Sequence, residues 1–353
     1  MAKATAPTMN IKEVAKRAHV STATVSRTIN RIGNVQPRTA ERVWKVIETL
    51  GYYPNIHART LVSGKSHMLG LVISDIANPF FPELVKSFED MALQANFEVI
   101  ITDTNYQPAR MVACIRRMLE RKVDGVAVMT SEMDHDVVID EFAKRHIPIV
   151  FLDVGKVKDR ISNISVNYTQ GIQEAVRHLV DLGHSRIGFV SGPISLRSAR
   201  TRRDAFLKCL HEFELVKDPH LVEEGNHKID GGERAMRNLL GLSHPPTAVL
   251  TSNDLTAIGA LRAIHLAGLR VPSDISVVGF DDIDLSQTTQ PPLTTVRLSR
   301  AELGRTAFEA LHRVIREESI RGKKYTLETH LIIRESTGKA NSERRPSLAA
   351  PAR

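Results

Sequence analysis

The sequence predicts two kinds of structure in series: a small all-α unit at the amino terminus, then a longer α/β body of two lobes. Three observations carry this. Residues up to about 53 show apolar residues at helical spacing, tight turns and no strand pattern. From about 67 to 338, short apolar runs alternate with amphipathic helical stretches, the pattern of parallel sheets wrapped by helices. Positive charge is concentrated in the first segment. Residues 1–66 hold 11 Lys+Arg against 3 Asp+Glu, residues 67–338 hold 33 against 36, and residues 339–353 hold 4 against 1, in a chain of net charge +8.

Capping and periodicity place the amino-terminal elements. Asn10 stands where an N-cap belongs, and Ile11, Val14, Ala15 and Ala18 share one face of the helix that follows. A turn at His19-Val20 leads to Ser21, placed to cap a second helix that carries Val25 and Ile29 inward. Pro37 suits the first turn of a third helix, with Val43, Val46, Ile47 and Leu50 as its apolar stripe and Gly51 as its stop. Two helices joined by a turn of about three residues and buttressed by a third form a helix-turn-helix layout. Residues 54–66 are polar and end in Ser63-Gly64-Lys65-Ser66; they read as a linker with room for one or two helical turns between Asn55 and Val62. A helix that short needs a partner to stay folded in water.

In the α/β body, strand-like runs fall at 68–74, 97–102, 125–129 and 149–152, then at 186–191, 248–251 and 276–280. Helical stretches at 83–95, 109–121, 170–182 and 254–267 lie among them. The length suits two lobes with a first break near Val166. The tail 339–353 is rich in Ser, Pro, Ala and Arg and is expected to be disordered; it lacks the leucine heptads of a coiled coil.

Composition narrows the function classes. Hydrophobic content of 42% and charged content of 25% are ordinary for a globular protein. No apolar run approaches the roughly 18 residues of a membrane span, and the first eight residues carry no secretion core. A cytoplasmic protein is expected. Cys114 and Cys209 lie far apart in helical stretches, which fits buried free thiols better than a disulfide or a metal site. The basic first segment suits a polyanion partner; a solvated Lys- and Arg-rich face is equally compatible, and charge alone does not separate the two. No G-x-G-x-x-G follows a strand, and there is no P-loop, H-E-x-x-H or G-x-S-x-G. No enzymatic role, cofactor or metal is expected.

The segment Ile11-Lys-Glu-Val-Ala-Lys-Arg-Ala-His-Val-Ser-Thr-Ala-Thr-Val-Ser-Arg-Thr-Ile-Asn30 closely resembles the DNA-binding headpiece of the LacI/GalR family. Further landmarks follow in that family's order: Leu50-Gly-Tyr-Tyr-Pro-Asn55, Ala58-Arg-Thr-Leu61, Ile76-Ala-Asn-Pro-Phe-Phe81, Leu182-Gly-His184, Ser252-Asn-Asp254, Gly279-Phe-Asp-Asp282 and Pro291-Pro-Leu-Thr-Thr295. The resemblance covers residues 9–338. It implies a repressor, homodimeric, that grips a pseudo-palindromic stretch of double-stranded DNA and answers to a small effector, with no membrane partner and a place on the bacterial nucleoid when bound. Its domains would be a headpiece at 1–53, a hinge helix at 54–66 and a core at 67–338. That core would be two Rossmann-like lobes of the periplasmic-binding-protein type, one at about 67–166 plus 296–327 and the other at about 167–295 plus 328–338.

The same resemblance assigns residues. The second helix would enter the major groove, with Arg27 reaching a guanine and the small Thr22 and Ala23 at the positions that set base preference. Ser21, Thr24, Ser26 and Asn30 are expected at phosphates and caps, Asn55 as cap of the hinge helix, and Leu61 as a wedge at the central base step. A leucine packing on the core is the plainer account of Leu61. In the core, Asn78, Phe80, Phe81, Ser131, Asp153, Arg200, Arg202, His227, Asn253 and Asp281 fall at effector positions after the carboxyl ends of strands. Asp, Asn and Arg groups flanked by aromatic faces suit a sugar or a sugar derivative. The plainer account makes Asp153, Asn253 and Asp281 turn or cap residues, and Phe80 and Phe81 core. His227 replaces the aromatic that the family usually places between the lobes. A solute-binding protein for a transporter would share the core fold, but the headpiece counts against it.

Overall fold

The computed structural model describes residues 10–30, 33–52, 65–130, 141–142, 144–153, 157–316 and 321–341. The chain divides into two compact units, Met1–His67 and Met68–Arg353.

Among the described residues the first unit holds three helices: α1 (Ile11–Arg17), α2 (Thr22–Asn30) and α3 (Pro37–Leu50). Asn10 caps α1, its side-chain oxygen accepting from the amides of Lys12 and Glu13. Glu13 in the first turn and Lys16 and Arg17 in the last complement the helix dipole. His19 adopts a left-handed φ of 52° in the turn, and Ser21 then accepts from the amide of Thr24 to start α2. Pro37 opens α3, and Gly51, at φ 56°, closes it. Val14, Ala15, Ala18, Val25, Val43, Ile47 and Leu50 form the core, with Ile11, Ile29 and Val46 half-buried around it. That packing is what holds together helices too short to persist alone.

The second unit is built on eleven strands in the order β2-β1-β3-β4-β5-β11-β10-β9-β8-β6-β7. These are β1 (Met68–Ile73), β2 (Glu98–Asp103), β3 (Gly125–Met129), β4 (Ile149–Leu152), β5 (Ile161–Asn167), β6 (Ile187–Ser191), β7 (Val222–Glu224), β8 (Ala248–Thr251), β9 (Ser276–Asp281), β10 (Thr294–Leu298) and β11 (Lys324–Ile332). All pairs are parallel except β10 with β11. Lys324 to Glu328 of β11 pair with β5, and Thr329 to Ile332 pair with β10, so one strand serves both lobes.

Helices α4 (Phe80–Gln94), α5 (Pro108–Glu120) and α10 (Arg300–Arg316) flank the first lobe, and α6 (Tyr168–Asp181), α7 (Arg197–Glu212), α8 (Ile229–Leu240) and α9 (Asp254–Leu266) the second. The chain passes between lobes where β5 runs into α6, where β10 runs into α10, and along β11. The strands β1, β3, β4, β6, β8 and β9 are near-continuous buried apolar runs, as expected of strands covered on both faces. Gly304 lets α10 lie directly on α4, since a Cβ there would stand 2.4 Å from the carbonyl oxygen of Leu84.

Several elements are absent from the sequence-based expectation. The helix α7 carries RSARTRRDAFLKCLHE, whose polar surplus hides its buried face of Ala199, Arg202, Ala205, Phe206 and Cys209. Arg202 is thus the sixth residue of a helix. The expected tail lies outside the described residues beyond 341. Cys114 and Cys209 are buried free thiols, and burial pushes the Cys209 thiol up to about 11. Among the described residues no helix is long and apolar enough to cross a membrane.

Candidate functional site

In α2, Ser21, Thr22, Ala23 and Arg27 are exposed while Val25 and Thr28 are buried. Residues 23 and 27 are one turn apart, so the exposed set forms a single face. The Arg27 side chain is exposed and meets no carboxylate among the described residues. Ser21 and Thr24 are occupied differently: their hydroxyls lie 3.0 Å apart and Ser21 also caps the helix. Their first role is structural. Ser26 is half-buried. Asn55 and Leu61 lie outside the described residues, as does the side chain of Asn30.

The second unit has a cleft between its lobes. Asn78, Phe80, Phe81, Arg202, His227, Asn253 and Asp281 all line it. Asn78 accepts from the amide of Phe80 at 3.0 Å and so starts α4; the two phenylalanine rings meet edge to face with centroids 5.2 Å apart. An apolar corner therefore stands at one end of the cleft.

Arg202 is the charged centre. Its side chain is 7% exposed, and its guanidinium lies over the rings of Tyr168 and Phe280, 4.8 and 4.1 Å from their centroids. It donates to the carbonyl of Ser252 and stands 3.5 Å from Asp281 Oδ1. That ion pair is not a hydrogen bond: Arg202 Nε and Asp281 Oδ1 are both buried without a hydrogen-bond partner. Burial raises the Asp281 carboxyl to about 6, against the pull of Arg202 and Arg300.

His227 is buried, and burial, helped by the Arg202 charge, lowers it to about 3. Its Nε2 and the Ser252 hydroxyl are 2.9 Å apart. Asn253 donates to the carbonyl of His227 and accepts from the amide and hydroxyl of Thr256, so its side chain caps α9 at the cleft wall.

Two expected residues are placed differently. Asp153 is not on the cleft wall. It accepts from the Tyr168 hydroxyl at 2.6 Å and from the Val166 amide at 2.9 Å, and holds the ring on which Arg202 rests. Burial raises its carboxyl, while those two hydrogen bonds lower it. Arg200 is exposed and off the wall, because two residues along a helix turn about 200°; Ser198, one turn from Arg202, lines the cleft instead. Ser131 lies outside the described residues, while its neighbour Thr130 is on the wall. Tyr106 and Tyr168 were not anticipated, since no motif or spacing marks either. Among the described residues no cluster of His, Cys, Asp and Glu could hold a metal.

The sequence matches the family described as "Bacterial regulatory proteins, lacI family" over residues 10–55, and "Periplasmic binding protein-like domain" over residues 176–337. The HTH-type transcriptional repressor PurR of Actinobacillus pleuropneumoniae serotype 3 (strain JL03) is 35% identical over 333 residues, 94% of this chain and 99% of that protein. The chain belongs to the LacI family. A lac repressor dimer bound to operator and the anti-inducer ONPF has the same fold, with a TM-score of 0.82 and 31% identity over 94% of this chain and 99% of that one. The transcriptional regulator CelR in complex with cellobiose follows at a TM-score of 0.70 and 28% identity, covering 93% of this chain and 100% of the other. This LacI-family chain is a DNA-binding transcription regulator with a helix-turn-helix unit and a periplasmic-binding-protein-like domain.

Proposed function

We propose that this regulator binds a pseudo-palindromic operator as a homodimer and is switched by a small sugar or sugar derivative held between the two lobes. The effector half is carried by one observation. Arg202 Nε and Asp281 Oδ1 are a buried donor and acceptor without hydrogen-bond partners, on two residues that line one cleft. Burying polar groups without partners is costly, and a ligand that supplies them recovers that cost. A pair of neighbouring hydroxyls, each able to donate and accept, matches the two atoms, and the Phe80–Phe81 corner suits an apolar sugar face. The cellobiose carried by CelR is consistent with that chemistry. For the operator half, the exposed Thr22, Ala23 and Arg27 face would read base edges in the major groove, with Ser21, Thr24, Ser26 and Asn30 near phosphates. Residues 54–66 would form the hinge helix, capped by Asn55, with Leu61 as the wedge.

In this reading the cytoplasmic protein has two core states that differ in lobe angle, and the effector shifts their balance by its differential affinity. The test is a thermal-shift screen of the full chain with D-ribose, D-glucose, cellobiose, adenine and hypoxanthine. A ligand that binds the native state alone raises the melting temperature. A shift with a sugar that Arg202→Ala abolishes, with operator binding retained, supports the reading. A shift confined to the nucleobases overturns the sugar assignment.

A further inference from the structure

Asp281 and Asp282 are consecutive residues with φ of 111° and 57°. For side chains other than glycine this conformation is strained and persists only where surroundings over-determine it. Three arginines do so here. The Asp282 carboxylate is held at 2.6 Å by Arg297 of β10 and at 2.6 Å by Arg334, just beyond β11. Its carbonyl accepts from Arg300 Nη1 at 2.7 Å. All three arginines sit on or beside the elements by which the chain crosses between lobes. The strained pair ends β9 with Asp281 on the cleft wall, so the backbone that presents the cleft carboxylate is held at Asp282 by arginines of the crossover elements.

Arg300 reaches further than the other two. It is the first residue of α10, with its side chain 8% exposed. Besides the Asp282 carbonyl it pairs with Glu83 on α4 of the first lobe and with Asp284, 3.3 Å away, in the second. Glu83 is three residues from Phe80, at the end of α4 that lines the cleft. Neither carboxylate touches the other; the guanidinium is what they share. The α10 helix packs directly on α4: Gly304 seats it on the Leu84 carbonyl and Ser87 donates to the Ala301 carbonyl at 2.6 Å.

The geometry points to Arg300 as a positioning residue for the effector response: a buried guanidinium that ties the backbone presenting Asp281 in the second lobe to Glu83 on α4 in the first, so that the cleft carboxylate and the angle between the lobes move together. This rests on reading the cleft as the effector site, so the decisive measurement uses no effector.

Amide hydrogen exchange is followed in the full chain for peptides spanning 80–86 and 281–287, with 248–266 as a control. Glu83→Gln is expected to speed exchange at 281–287 in the opposite lobe, and Asp284→Asn to speed it at 80–86, by roughly two- to fivefold given two solvent-facing carboxylates. Arg300→Met should do both, and adding Glu83→Gln to it should change nothing further at 281–287. A merely structural role would speed the control peptide equally or confine each effect to its own lobe. Either result overturns the proposal. If Arg300→Met does not fold, the two carboxylate variants decide alone. Because no ligand enters, a failed sugar screen leaves this outcome readable, and a lost cross-lobe effect leaves the sugar screen readable.

Discussion

The guanidinium of Arg202 stands 3.5 Å from Asp281 Oδ1, yet no hydrogen bond joins them. Two opposite charges are thus buried together, with Arg202 Nε and Asp281 Oδ1 left without hydrogen bonds. Burial outweighs the attraction, since the Asp281 carboxyl is raised from 3.8 to about 6 in spite of Arg202 and Arg300.

Asp281→Asn should therefore stabilise the protein at neutral pH. A carboxyl raised in the folded state costs nothing below its unfolded value of 3.8; stability is lost as pH rises toward about 6 and the loss is complete above that. The gap converts to roughly 3 kcal/mol at most. Urea midpoints measured between pH 4 and pH 8 should show the variant ahead of wild type at pH 7 and level with it near pH 4. A variant less stable at pH 7 would mean that the pairing with Arg202 outweighs desolvation.

Gly192 exists for His227. A Cβ at Gly192 would lie 1.8 Å from His227 Nε2, and the ring is fixed there by Ser252 on one side and a left-handed backbone, φ 61°, on the other. Gly192→Ala should cost about 1–3 kcal/mol by overpacking, read as a lowered melting temperature, and His227→Ala should restore part of it. If the double variant melts no higher than Gly192→Ala, the clash is not with the ring. The same ring sensitises the fold to acid. Its neutral form, lowered to about 3, contributes stability above the unfolded value near 6.5 that is lost as pH falls through that window.

How much of this was legible depended on whether the signal was local. Asn10, Pro37 and Gly51 announce helix ends because capping is decided within a few residues. The strands β3, β4 and β8 stand out as apolar runs bounded by polar residues. By contrast β11, KYTLETHLI, serves two lobes with two pairing directions, and its mixed pattern reflects that divided environment. The resemblance puts Asp153 at an effector position, and the structure shows it holding Tyr168, fifteen residues away. Only tertiary structure pairs them. Arg200 could have been set aside from the helical period alone, had α7 been legible beneath its arginines.

Asn10→Ala should weaken the first unit more than Ser21→Ala. Asn10 Oδ1 accepts two amides, at 3.0 and 3.1 Å, whereas Ser21 Oγ accepts one. Losing a cap costs about 1 kcal/mol, within a range of about 0.5–2. Hydrogen exchange at residues 11–17 in one variant and 22–28 in the other should show each helix start fraying, with the cleft-lining peptides unchanged. Equal losses would mean that the second amide bond of Asn10 adds nothing.

Arg27 is the exposed cation of α2 with no carboxylate partner among the described residues, while Thr22 and Ala23 beside it are short. If Arg27 grips a guanine through both nitrogens of its fork, Arg27→Ala should cost about 1–3 kcal/mol on the matched operator and relax preference at one base pair. A phosphate clamp behaves otherwise: affinity falls on every sequence alike, and the slope of log affinity against log salt drops by about one. Measuring the variant and wild type on the matched duplex and on single-base variants, at several salt concentrations, separates the two. Arg27→Lys sharpens the distinction, because a lysine keeps the charge but not the planar fork. It should retain the salt slope and still lose discrimination at the guanine. Undiminished discrimination in both variants would move base reading away from Arg27 to Thr22 and Ala23.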